Sequence, residues 1–175
     1  MFATIYLPNF YLQAAIRHQP ELRAQPVALL EEEENKPVII QLNEAAEQVG
    51  IRKGMSPSQA LARYLQVTIK ARARLQEKSI QEMLLYYAFT LSPFVEATKP
   101  GICTIQFTDN RDLSAKVSRV IEQLAECEII GQAGIAPTPD TSLLIAHLAR
   151  PVLQVENPKE FLAPLPIETL AMIGT

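Results

Sequence analysis

Apolar and polar positions along this chain switch repeatedly between a period of two and a helical period, which predicts strands separated by helices. Phe2 to Leu7 is a short, β-rich apolar run closed by Pro8-Asn9, the pattern of a buried strand ending in a turn. Phe10 to Arg17 carries apolar residues at helical spacing, and Pro20 closes it. Two apolar runs, Pro26 to Leu30 and Pro37 to Leu42, flank the acidic stretch Glu31-Glu32-Glu33-Glu34-Asn35-Lys36. They predict a hairpin whose acidic turn faces solvent, since consecutive side chains do not converge readily on one ion. Asn43 caps a short helix to Gln48, and Ser56-Pro57 opens another that runs to Tyr64.

Farther along, Val67 to Lys70 reads as a short strand, and Leu75 to Leu91 as a longer helix striped by Ile80, Met83, Leu84 and Tyr87. Pro93 breaks that helix. Strands follow at Val95 to Ala97 and Ile102 to Phe107, then a helix from Ser114 to Glu126, a strand at Ile129 to Ile135 and a helix from Thr141 to Leu148. The remainder is proline-rich, with a short helix near Ile167 to Met172. Strands alternating with helices placed to cover one face predict an α+β fold, with the segment after the first strand as an insertion.

Composition alters little in this picture. The 175 residues carry a net charge of −3 and the pI is about 5.5, which argues against strong independent binding of nucleic acid but leaves room for a local basic face. No stretch approaches the roughly 18 apolar residues of a membrane span. The N-terminus lacks the basic start and cleavage site of a signal peptide. Cys103 and Cys127 stand far apart with no metal-type spacing and read as small hydrophobes in a reducing compartment. His18 is placed to cap a helix end, and His147 sits on an amphipathic helix beside Arg150, at the surface or the edge of the core. Arg63, Lys70, Arg72 and Arg74, with Lys78 and Tyr64, form the best candidate for phosphate contact, against the plainer reading of a solvated surface.

Four local patterns in one order carry a resemblance. Phe10-Tyr11 precedes Gln19-Pro20-Glu21-Leu22-Arg23-Ala24-Gln25-Pro26-Val27-Ala28; Asn43 to Met55 ends in Gly54-Met55; Ser92-Pro93-Phe94-Val95-Glu96 follows; and Ala133-Gly134-Ile135-Ala136-Pro137 comes last. Together they resemble the core of the Y-family (translesion) DNA polymerases of the DinB, UmuC and ImpB-MucB type. The resemblance implies a palm-like domain with a mixed or antiparallel sheet, formed by residues 1–10 and 75–165. It also implies a fingers-like lobe at 11–74 and, at 166–175, the start of a thumb-like segment that a truncated chain would leave incomplete.

The same resemblance locates the chemistry and finds it missing. Nucleotidyl transfer needs divalent ions held by carboxylates. Alignment on Phe10-Tyr11 puts the first strand's acids at Tyr6 and Pro8, and alignment on Ser92-Pro93 puts the later Asp-Glu pair at Gly101 and Ile102. The tyrosine and arginine that grip a triphosphate correspond to Glu44 and Glu47, the late lysine falls near Thr138-Pro139, and Tyr11 takes the position that senses the sugar. This pattern of loss is similar to the catalytically inactive ImuB group. The implied function is a non-catalytic scaffold in bacterial DNA damage tolerance, translesion synthesis and induced mutagenesis, with no cofactor. Its implied partners are DNA (weakly, in this fragment), an ImuA-like protein, an error-prone C-family polymerase and the sliding clamp, in the bacterial cytoplasm at the nucleoid. Two alternatives stay open. One is an active translesion polymerase using Mg2+ on displaced carboxylates, for which Glu96, Asp109 and Asp112 are the nearest acids. The other is an unrelated α+β domain, in which the first strand need not lie beside the Cys103 strand.

Overall fold

The computed structural model describes residues 1–33 and 36–166. In chain order the elements are β1 (Phe2–Tyr6), α1 (Phe10–Ile16), a 3-10 turn (Pro20–Ala24), β2 (Val27–Glu33), β3 (Lys36–Leu42), α2 (Glu44–Gln48), α3 (Pro57–Arg63) and β4 (Thr68–Ala71). Then follow α4 (Arg74–Leu91), β5 (Val95–Lys99), β6 (Ile102–Gln106), α5 (Leu113–Glu126), β7 (Gln132–Ala136), α6 (Pro139–Leu148), β8 (Val152–Gln154) and α7 (Pro158–Leu162). The chain divides into two compact units, Met1–Pro8 with Gln81–Thr175, and Asn9–Ile80. The expected helix at Ile167 to Met172 lies outside the described residues, as does nearly all of the thumb-like segment at 166–175.

The first unit is built on a five-stranded sheet in the order β5-β6-β1-β7-β8. β1 pairs antiparallel with both β6 and β7, and Ile5 lies opposite Cys103, the pairing that an unrelated α+β domain need not have. Residues alternate across β1 because successive side chains leave a strand on opposite faces. Ala3 and Ile5, with Cys103, Ile105, Ala133 and Ile135, are fully buried. On the side of Leu7 the sheet meets α5, since a Cβ built at Gly131 would lie 3.4 Å from Leu7 and 3.1 and 3.6 Å from Ile121 and Leu124 of that helix. Here α5 runs its buried stripe of Leu113, Val117, Val120, Ile121 and Leu124.

The opposite face carries Thr4, whose hydroxyl bonds Ser142 of α6 at 2.7 Å and Thr104 at 3.2 Å. Helix α6 therefore departs from the expected gathering of helices on one face. Gly134 is the reason it can pack there: a Cβ at that position would lie 2.3 Å from the backbone of Ser142 and Ala146. Strand β8, which pairs parallel with β7, was not expected in the proline-rich tail.

The second unit is a three-stranded sheet, β3-β2-β4, with β2 and β3 antiparallel and β2 and β4 parallel. One core joins Ala28, Ile39, Leu42, Ala46, Ile51, Ala60 and Val67; another joins Leu12, Ile16, Val27 and Leu29. Local chemistry places its helices as the sequence predicts. The Asn43 side chain accepts from Ala46 N at 3.0 Å, and Ser56 forms a full capping box with Gln59 ahead of Pro57. The acidic run behaves differently from expectation: β2 extends through Glu31 to Glu33, and Glu31 pairs with arginines instead of standing in a solvated turn.

Candidate functional site

Register assembles four distant residues into one row across the first unit's sheet. Lys99 of β5 lies opposite Ile102 of β6, Ile102 opposite Tyr6 of β1, and Tyr6 opposite Gln132 of β7. Register partners share a face, so all four lie on the side of the sheet that carries α6. Leu7 N donates to Gly101 O at 2.8 Å, holding the tight turn after β5 against the end of β1. Positions 6, 8, 101 and 102, reached from two separate stretches of sequence, thus meet at one corner.

The corner has no carboxylate of its own. Its centre is Tyr6, whose ring lies 4.1 Å from that of His147 at an interplanar angle of 39°. Burial raises the Tyr6 hydroxyl above its ordinary value, so it remains a neutral donor, and burial followed by the nearby charge of Lys99 lowers His147 below its own. The backbone is shaped accordingly. Gly101 is buried at φ 74°, the left-handed region that suits the position after Pro100 in a tight turn, and its N–H donates to Gln81 Oε1 at 2.8 Å. A phenol, a proline ring, a glycine and an isoleucine do not fit a hard divalent cation, which takes oxygen ligands and favours carboxylates. Among the described residues, no group of three or more His, Cys, Asp or Glu is placed to hold a metal ion.

The displaced acids do not reach this corner. Asp109 and Asp112 lie beyond the Gln106 end of β6, whereas the corner lies at its Ile102 end, about 13 Å away along the strand at 3.3 Å per residue. Asp109 is exposed and pairs with Arg111 at 3.0 Å, which holds its carboxyl below the usual range. Asp112 takes the N-cap position of α5, but its side chain makes no cap hydrogen bond. Glu96 sits opposite Thr104, two residues along β6 from Ile102. Thr138 and Pro139 begin α6 just past Ala136, which lies opposite Phe2, at the far end of β1 from Tyr6. That end holds a concavity of about 250 Å³ lined by Phe2, Phe94, Glu96, Thr104, Gln106 and Pro139.

In the second unit, Tyr11 is covered: the Arg72 guanidinium sits 4.0 Å from its ring centroid. Arg72 also spends all three of its nitrogens, Nε and Nη2 on Glu77 at 2.9 and 2.6 Å and Nη1 on Glu31 at 2.6 Å. Arg72, one of the candidates for phosphate contact, is thus engaged within its own unit. Arg74 is exposed and reaches Glu31 at 3.4 Å. Arg63 ends α3 on the surface, and Lys70 lies on the edge strand β4 opposite Leu29. Glu44 and Glu47 are exposed in the first turn of α2, where negative charge favours the helix N-terminus.

Sequence reasoning missed Lys99, Gln132 and Arg150 as neighbours of this corner and left His147 at the surface or the core edge. Arg150 Nη1 caps the end of α6 through Ala149 O at 2.6 Å, and with the Gln132 amide turned to satisfy both partners its oxygen accepts from Arg150 at 3.0 Å. No local signal marks these residues, because their grouping depends on strand register.

Residues 5–147 match the impB/mucB/samB family. A DNA polymerase IV of Pectobacterium atrosepticum is 24% identical over 174 residues, covering 94% of this chain and 49% of that protein. Among solved structures, a post-insertion binary complex of Dbh DNA polymerase superposes with a TM-score of 0.86 at 15% identity, covering 99% of this chain and 54% of that one. A Y-family DNA polymerase chimera gives a TM-score of 0.82 at 14% identity, over 96% of this chain and 53% of the other. The fold is that of the Y-family polymerases, and the chain spans about half the length of the curated relatives it matches.

Proposed function

This chain belongs to the impB/mucB/samB family, and we propose that within it the chain is a catalytically silent polymerase body that acts as a scaffold in bacterial DNA damage tolerance. The observation that carries the proposal is the corner itself: Tyr6, Pro8, Gly101 and Ile102 meet where carboxylates would have to meet, and none of them can bind a hard cation through an ionised oxygen. The positions of Asp109, Asp112 and Glu96 speak against a rebuilt site. A covered Tyr11 and the exposed Glu44 and Glu47 add to the same reading, since two carboxylates repel a triphosphate.

The scaffold role follows the similarity to the ImuB group. A Y-family body with no chemistry keeps its surfaces, and on this proposal those surfaces engage DNA, an ImuA-like protein, an error-prone C-family polymerase and the sliding clamp in the cytoplasm. The decisive experiment is a titration of dNTP with and without Mg2+, paired with primer extension. No Mg2+-dependent saturation and no extension are expected. Saturable Mg2+-dependent dNTP binding would sink the silent-body reading.

A further inference from the structure

The C-terminal half of α4 leaves two large aromatic side chains in solvent. Tyr86 is 68% exposed and Phe89 55%, one turn apart on a single stripe, with the exposed Glu82 one turn before them. The other side of the same turns is buried through Leu84 and Ala88, which fixes the two rings outward. Tyr87 ties the stripe to the end of α5. Its hydroxyl lies 3.7 Å from Cys127 Sγ, and its ring 5.5 Å from that of Tyr86. Cys127 contributes most to holding that hydroxyl above its ordinary pKa, and Glu126 is near enough to add to it.

Residues 81–91 and 120–130 hold four glutamates, Glu82, Glu122, Glu126 and Glu128, and no lysine, arginine or histidine. Glu122 and Glu126 are exposed in the last two turns of α5, whose final turn has no basic residue. A helix C-terminus disfavours negative charge, so these acids oppose the stability of their own helix, and a cation brought to them removes that cost.

We infer that the Tyr86–Phe89 stripe of α4, with the glutamates at the end of α5, docks a basic amphipathic helix of a partner protein. Two rings one turn apart match the apolar anchors, three or four residues apart, of a helix laid along them. Lysines or arginines flanking those anchors complement the glutamates. The same acids repel the phosphates of nucleic acid and of an anionic bilayer, which sets this surface apart from any that faces DNA. The inference deepens the scaffold reading, on which it rests for the existence of a partner, and takes nothing from the corner at Tyr6.

The test is fluorescence anisotropy with a labelled helical peptide of leucine and lysine, its leucines on one face, and with a second peptide in which glutamate replaces every lysine. Saturable binding of the lysine peptide, weakened by salt, and none of the glutamate peptide are expected. Phe89→Ser and Tyr86→Ser, both at exposed positions, should each weaken binding about tenfold at unchanged thermal midpoint. Glu126→Lys should weaken it about threefold and flatten the salt dependence. Glu156→Lys, which makes the same change of net charge at an exposed position beyond Gln154 of β8, should leave binding as it is. Equal binding of both peptides, no binding of either, or full binding to the Phe89 and Tyr86 variants overturns the inference. Sedimentation of the protein alone reads the other occupant: self-association abolished by Phe89→Ser would assign the stripe to a second copy of the chain and overturn the partner helix. None of these results touches the silent-body reading, which falls only to Mg2+-dependent dNTP binding.

Discussion

Arg72 is the residue whose role depends most on its neighbours. Its three nitrogens and its cationic face are all occupied by Glu77, Glu31 and Tyr11, and its side chain is 16% exposed. Removing it leaves the 10%-exposed Glu77 carboxylate without its partner, a cost of about 2 to 3 kcal/mol. Arg72→Ala is therefore expected to lower the thermal midpoint, and Arg72→Lys to recover little, because a lysine cannot make the paired bonds to Glu77. Chemical unfolding of both variants checks this; a wild-type midpoint for either would refute it. His147 gives the residue-scale pH dependence. Its folded value lies below the ordinary 6.5, so the unfolded chain takes up its proton first as pH falls. Its contribution is whole above that value and is lost as pH drops through it. Thermal midpoints measured between neutral and mildly acidic pH should fall, and the fall should be smaller in His147→Phe.

At the scale of elements, the parts that local chemistry dictates are the ones the sequence predicts well. Asn43 illustrates this: its side chain caps α2 at Ala46 N, and it also accepts from Val27 N at 3.0 Å and donates to Gln25 O at 2.6 Å. The cap was legible, but the two ties to the start of β2 were not, since they join residues far apart in sequence. Asn43→Ala should then cost more than a cap alone, about 2 kcal/mol, with Ser56→Ala near the usual cap value of about 1 kcal/mol as the comparison, read by denaturant midpoints. Gly134 makes the same point through packing. The contact of its backbone with Ser142 and Ala146 leaves no room for a methyl group, and Gly134→Ala should displace α6 and cost about 3 kcal/mol or fail to fold. Nothing in the apolar rhythm of Gln132 to Ala136 distinguishes a glycine needed for helix contact from one at a bend. Strand β8 was missed for a related reason, because three residues carry no period and are a strand only by pairing with β7.

At the scale of the whole molecule, the chain separates into a unit that closes on itself from two segments and a unit that is continuous, Asn9–Ile80. The continuous unit has two hydrophobic clusters of its own, so a fragment of residues 9–80 is expected to unfold cooperatively in denaturant; a gradual, probe-dependent transition would refute that. The sequence by itself determined the order of helices and strands from β1 to α6, the caps at Asn43 and Ser56, and the absence of acids at 6, 8, 101 and 102. These are properties of single positions or of neighbours a few residues apart, where side-chain type and period suffice. The tertiary structure alone decided that those four positions share a corner with His147, that Lys99 and Arg150 flank it, and that Arg72 turns inward. Each depends on contacts between strands such as β1 and β6, whose paired residues Thr4 and Thr104 stand 100 apart in sequence. Register at that distance is selected by the packing of the whole sheet, which no local pattern encodes.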